Sequence, residues 1–233
     1  MIADERREIW ESLTVIEDWL AGGARKARGS VPDFASAPEA DDTLDGISAE
    51  IEACRACRLF ETRKNAVPGQ GPSAPLAMIV GEGPGAEEDA RGLPFVGPAG
   101  QLLDRMLASI DLKRDSNCYI ANVVKCRPPH NRDPAPDEQA ACLGYLRRQI
   151  ALLGPKAILC VGRIAAQALL GTTEGVGKMR GTWRDFDGLP LLVTYHPSAL
   201  LRDEGLKRPA WEDLKAFREL LSRREEPSGR ERP

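Results

Sequence analysis

The chain has 233 residues, 42% hydrophobic and 29% charged, with a formal net charge of −3, which is room for one domain and an appendage in an ordinary globular composition. No apolar run nears the ~20 residues that span a bilayer, and the opening MIADERREIW lacks the apolar core of a secretory signal, so membrane and secreted classes are set aside. Residues 1–50 hold 12 acids and 5 bases (net −7), and residues 51–233 hold 23 acids and 27 bases (net +4), so the acidity is N-terminal and the remainder permits phosphate contacts.

In chain order, residues 4–20 read as an amphipathic helix with Ile9, Trp10, Leu13, Ile16 and Leu20 on one face, capped by Asp4 and ended by Gly22–Gly23. It either packs on its own domain or docks a partner. Residues 23–46 have no periodicity and read as a flexible linker. Strand–helix alternation starts at residue 47. Strands are expected at Leu76–Val80, Cys118–Val124, Ala157–Val161 and Leu191–Tyr195. Helices are expected at Pro98–Ile110, Pro136–Leu153, Arg163–Leu170 and Trp211–Ser222, followed by a polar tail from Arg223. Four apolar strands alternating with helices predict an α/β fold with a parallel sheet covered on both faces. Ligands in such sheets sit beyond the carboxyl ends of the strands.

The first strand runs into Gly81-Glu82-Gly83-Pro84-Gly85-Ala86, formally a dinucleotide fingerprint. The continuation Glu87-Glu88-Asp89 would repel a pyrophosphate, and no acid ends the second strand to hold a ribose. The glycines therefore suit close approach to a neutral flat ligand. Phe95, between glycines and prolines in a loop at the same sheet end, fits a stacking platform. Asn122 ends the second strand; its amide carries a donor and an acceptor, which complements the O4 and N3–H edge of uracil and mismatches cytosine. His196, one of two histidines, ends the fourth strand before a proline. Leu200 and Leu201 follow on what reads as an exposed loop, suited to a wedge in a base stack.

Cys54 and Cys57 form a C-x-x-C, Cys126 follows the second strand, and Cys142 lies in the next helix; Cys118 and Cys160 sit inside apolar strands and read as buried bystanders. In a reducing compartment six cysteines favour metal ligation over disulphides. Four ligands make one cluster or one tetrahedral zinc, and spacing alone does not choose.

These blocks (Cys54-Arg-Ala-Cys57, GEGPGAEEDARGLPFVGPAGQLLD at 81–104, NVVKCRPPHNRDP at 122–134, Cys142 and HPSALLR at 196–202) together resemble the family 4 uracil-DNA glycosylases over residues 47–222. The resemblance implies a three-layer α/β/α fold on a four-stranded parallel sheet, with a 4Fe–4S cluster on Cys54, Cys57, Cys126 and Cys142. It implies base flipping and hydrolysis of the N-glycosidic bond of deoxyuridine. Phe95 would stack on uracil, Asn122 read its edge, and His196 hold O2 as charge develops. Glu82 and Gly83 would line the pocket floor, and Glu88 would reject a methyl group or order the water. Leu200, Leu201 and Arg202 would form the DNA wedge. Two positions depart from the family's pattern. Gly83 stands where better-known uracil glycosylases carry a water-activating aspartate, leaving Glu82, Glu88 or backbone carbonyls for that role. His130 stands where glycine is commoner; a related branch traps the sugar covalently through a loop histidine. The chain is expected to act as a monomer on single- or double-stranded uracil-containing DNA, in the cytoplasm at the nucleoid. Its N-terminal helix would be free for a repair or replication partner. The competing readings are a covalent or non-catalytic uracil-DNA binder, a nucleotide-binding redox protein, and an iron–sulphur scaffold of a polymerase complex.

Overall fold

Short apolar runs alternating with amphipathic stretches set the architecture. The structure, a computed structural model, describes residues 42–225; the helix read over residues 4–20 and the linker up to residue 41 lie outside them. In chain order the elements are α1 (Leu44–Ala53), β1 (Ala77–Gly81), α2 (Ala86–Arg91), α3 (Pro98–Ala108), β2 (Cys118–Asn122), α4 (Pro136–Leu153) and β3 (Ala157–Val161). Then come α5 (Arg163–Leu170), α6 (Val176–Met179), β4 (Arg184–Phe186), β5 (Leu189–Thr194), α7 (Pro197–Arg202) and α8 (Lys207–Glu225). The helix α4, the strand β3 and the helix α5 fall where the apolar pattern predicts.

The strands form one sheet in the order β2-β1-β3-β5-β4; the first four are parallel, and β4 pairs antiparallel with β5. The expected four-stranded parallel sheet is thus corrected to five strands, mostly parallel. The extra strand is three residues long with two of them exposed, so no apolar run marks it. Its signal was the turn: Asp187 (φ 51) and Gly188 (φ 85) make the two-residue hairpin whose twist suits paired strands.

Residues of β1, β2 and β3 are all buried, because alternate side chains feed two cores. Met78, Val80, Ile158 and Cys160 pack with Leu146, Ile150 and Leu153 of α4. Ala77, Ile79, Leu159 and Leu192 pack with Leu103 and Leu107 of α3 and Leu214 and Phe217 of α8. Helices therefore cover both faces in three layers. Cys118 and Cys160 are fully buried, one in each core.

A helix not foreseen, α1, begins at Leu44, inside the segment read as linker. Thr43 caps it, accepting the Gly46 N–H at 3.0 Å. Only Ile47 and Ile51 bury its face, and Arg148 of α4 anchors it through Asp42 and Glu50. The chain passes from β1 out to β2 and back across to β3. That reversal opens a crevice at the carboxyl ends of β1 and β3, where open α/β sheets bind ligands.

Candidate active site

The expected pocket residues gather at that crevice. Gly81 ends β1, and a Cβ there would lie 2.5 Å from Asn122 Oδ1 and 2.6 Å from Phe95 Cζ. Only glycine lets both side chains close over the strand end. Asn122 ends β2 in register with Gly81. Its Oδ1 is the one buried side-chain oxygen or nitrogen among the described residues without a hydrogen bond. Leaving such an acceptor unpaired costs about 1–3 kcal/mol.

Phe95 is buried and has a left-handed backbone, φ 52, which costs a non-glycine residue roughly 1–3 kcal/mol unless its surroundings impose it. Here both flanks do so. Arg114, anchored on Asp104 at 2.7 Å, donates to the carbonyls of Pro94 (2.8 Å) and Phe95 (2.9 Å). Glu88 Oε1 accepts the N–H groups of Val96 (2.8 Å) and Gly97 (3.0 Å), and its Oε2 accepts that of Gly85 (3.1 Å). Glu88, expected at the base or its water, spends its oxygens on the loop that presents Phe95. The same contact occupies the Gly85 N–H that a phosphate would need, against the dinucleotide reading. Nothing in the sequence signals Arg114.

His196 follows β5 and caps α7. Its ring lies 5.7 Å from that of Phe95, tilted by 35°. Nδ1 accepts the Ser198 N–H at 3.1 Å and meets Ser198 Oγ at 2.8 Å. A backbone N–H can only donate, so Nδ1 offers its lone pair and the neutral ring carries its proton on Nε2. Burial, reinforced by the Arg202 charge and opposed by Glu88, pushes the His196 pKa down to about 4. The ring is therefore an uncharged N–H donor throughout the neutral range. Gly162 (φ 107) follows β3, and a Cβ there would stand 3.0 Å from His196 Cβ.

Glu82 is half-buried. Burial first, then Asp133, raises its carboxyl to about 7, with Arg163 acting in the opposite direction. Arg163 and Asp133 are themselves paired at 2.5 Å. Gly83 lies over Val124, whose Cγ2 would be 2.7 Å from a Cβ at that position. The paired exposed leucines are corrected: Leu200 is 2% exposed and belongs to the core, whereas Leu201 is 49% exposed. Successive helical residues point about 100° apart, so α7 can expose only one of the two. Arg202 is exposed, and His130 is exposed on a 3-10 turn with φ 56.

The other four cysteines line one recess, with Ile51, Phe60 and Lys125 among its walls. Arg63 donates to Cys126 Sγ at 3.0 Å, the Lys125 N–H to Cys142 Sγ at 3.3 Å, and the Ala56 N–H to Cys54 Sγ at 3.5 Å. Burial raises the Cys57 and Cys126 thiols and takes Cys142 to about 12. Among the described residues no three Cys, His, Asp or Glu side chains converge on a point suited to a single ion.

Residues 68–215 match the model of the uracil DNA glycosylase superfamily. The chain belongs to the uracil DNA glycosylase superfamily. It is 43% identical over 190 residues to the Type-4 uracil-DNA glycosylase of Saccharolobus solfataricus, covering 78% of this chain and 88% of that protein. It is 40% identical over 192 residues to the Type-4 enzyme of Archaeoglobus fulgidus (79% and 96%) and 39% identical over 187 residues to that of Thermotoga maritima (78% and 97%). The superfamily match takes in Gly81, Phe95, Asn122, His196, Cys126 and Cys142, and starts after Cys54 and Cys57. Among the described residues of this superfamily member, no helix is long and apolar enough to cross a membrane.

Proposed function

We propose that this chain is a uracil-DNA glycosylase that flips deoxyuridine out of DNA and hydrolyses its C1′–N1 bond. It releases uracil and leaves an abasic site, the opening step of base excision repair. The observation that carries the reading is the meeting, at one sheet end, of an unpaired Asn122 Oδ1, a clamped Phe95 and a neutral His196 with its proton on Nε2.

Phe95 stacks on the flipped ring. Asn122 Oδ1 accepts the uracil N3–H and its Nδ2 donates to O4; cytosine would set its bare N3 against Oδ1 and its amino group against Nδ2. As C1′–N1 breaks, the electron pair leaves with the base, and His196 Nε2–H donates to O2, where the negative charge gathers. An imidazolium is not required. Water adds to C1′, and its proton goes to Glu82. Glu82 is favoured over Glu88 because its raised carboxyl bears no hydrogen bond that lowers it, while Glu88 is committed to three backbone amides. Gly83 floors the pocket beside it. Leu201 and Arg202 are the wedge that remains once Leu200 is in the core.

The four cysteines fit a 4Fe–4S cluster. All four line one recess, and N–H donors reach three of their sulphurs, as cluster thiolates favour. Bound there, a cluster would be held by Cys54, Cys57, Cys126 and Cys142 and would tie the segment after Asn122 to α4 and to the segment before the 3-10 turn at residues 58–61.

The test is excision on U·G, U·A and single-stranded substrates, with alkaline cleavage to reveal abasic product and a heat- and detergent-treated gel to reveal adduct. Abasic product is expected, and His196→Ala should lose about 100-fold or more in single-turnover rate while still binding DNA. Binding without product, or an adduct that survives heat and detergent, would replace this reading with a non-catalytic or covalent binder; unchanged turnover in His196→Ala would remove His196 from the chemistry.

A further inference from the structure

We infer that Lys125 is the internal counter-ion of the group held by the four cysteines and couples its presence to the base-reading turn. The inference rests on the 4Fe–4S reading above. Lys125 is 1% exposed and is the largest fully buried side chain among the described residues. A buried ammonium is strongly disfavoured unless an anion pairs with it. The other buried charged side chains are satisfied: Glu138 by Arg58 and Arg132, Asp213 by Arg180, and Asp89 by the Lys64 and Asn65 N–H groups. Lys125 has no such partner among the described residues. Its Nζ donates to the neutral amide of Gln149, Oε1 at 2.7 Å.

The missing anion is supplied by its position. Lys125 lines the cysteine recess, precedes Cys126 and gives its N–H to Cys142 Sγ. A cluster bound by four thiolates is a net anion, so the ammonium and the cluster would each offset part of the other's buried charge. The same residue ties the recess to its surroundings. Its carbonyl accepts the Val67 N–H at 2.8 Å, and Gln149 carries the contact on to the Pro68 carbonyl at 3.0 Å. Asn122 is three residues upstream, on the same turn. Loss of the anion would leave a buried charge uncompensated three residues from Asn122.

The test uses holoprotein of wild type, Lys125→Met, Lys125→Gln and Lys125→Arg, purified without oxygen. Iron and labile sulphide, the visible spectrum, the cluster's midpoint potential and its loss to chelator are measured on each. Both neutral variants should lose cluster about 10-fold or more faster. Their potentials should shift to more negative values, because a nearby cation favours the more negative, reduced cluster. Arginine should move the potential back towards wild type. If Lys125→Met does not accumulate, the glutamine variant, which keeps a hydrogen-bonding end, decides. Neutral variants that match wild type in potential and in cluster loss overturn this inference and leave the cluster reading intact. A wild type without iron and sulphide overturns both.

Discussion

Two glutamates six residues apart have opposite surroundings, and the proposed roles differ accordingly. Glu88 turns its oxygens onto three backbone amides. Glu82 sits half-buried near Asp133, and its carboxyl rises to about 7. A base must be ionised to take the proton from water, so excision by single turnover should climb with pH below about 7 and level off above it. Glu82→Gln should abolish that limb and lower the plateau by about 100-fold or more. A limb that persists in the variant would assign the base elsewhere. Stability carries its own sign. His196 is depressed from 6.5 to about 4, so the unfolded chain binds more protons between those values, and the stability His196 contributes is lost as pH falls through that window.

At the scale of elements, the pocket depends on how closely strand ends and loops can approach. Gly81 ends β1 with Asn122 and Phe95 closed over it. Gly81→Ala must push one of them aside, and a displacement of about 1 Å at a reacting centre can cost ~100-fold in rate. The expected result is a fall of that order in excision, with the free energy of unfolding lowered by no more than an overpacked site costs, about 1–3 kcal/mol. Undiminished excision would show that the three groups do not act together. The left-handed Phe95 belongs to the same device: Arg114 and Glu88 hold from two sides a conformation its own backbone resists.

Across the described residues, the sheet and the α1 region are not equally self-sufficient. The β3–β5 part of the sheet is closed by apolar packing on both faces. The α1 region rests on a small cluster of Ile47, Ile51 and Ala66, on Arg148 with its two carboxylates, and on the cysteine recess. Removing the proposed cluster by oxidation and chelation should therefore expose amides of α1 and of residues 123–146 to hydrogen exchange first. Those of β3 and β5 should keep their protection, since opening follows local packing. Simultaneous loss everywhere would show that the cluster supports the fold globally instead of bracing one side.

The sequence by itself determined the layered α/β fold, because Met78–Val80, Cys118–Ala121 and Ala157–Val161 are unbroken apolar runs that only buried parallel strands accommodate. It also pointed to the sheet end that Asn122 and His196 share, since Asn122 ends β2, His196 follows β5 and parallel strands have one carboxyl edge; Phe95 reaches that edge from the loop between α2 and α3. It could not supply β4, which has too few apolar residues to mark a strand, or α1, whose buried face is two isoleucines. Tertiary structure alone decided the roles that depend on distant partners. Arg114 clamps a loop about twenty residues away in sequence, Leu200 turns inward while Leu201 does not, and Lys125 is sealed in without a carboxylate. The physical reason is common to all three. Periodicity reports burial averaged over an element, whereas a hydrogen bond, a helix facing or an unpaired charge is fixed by which other segment folds against it.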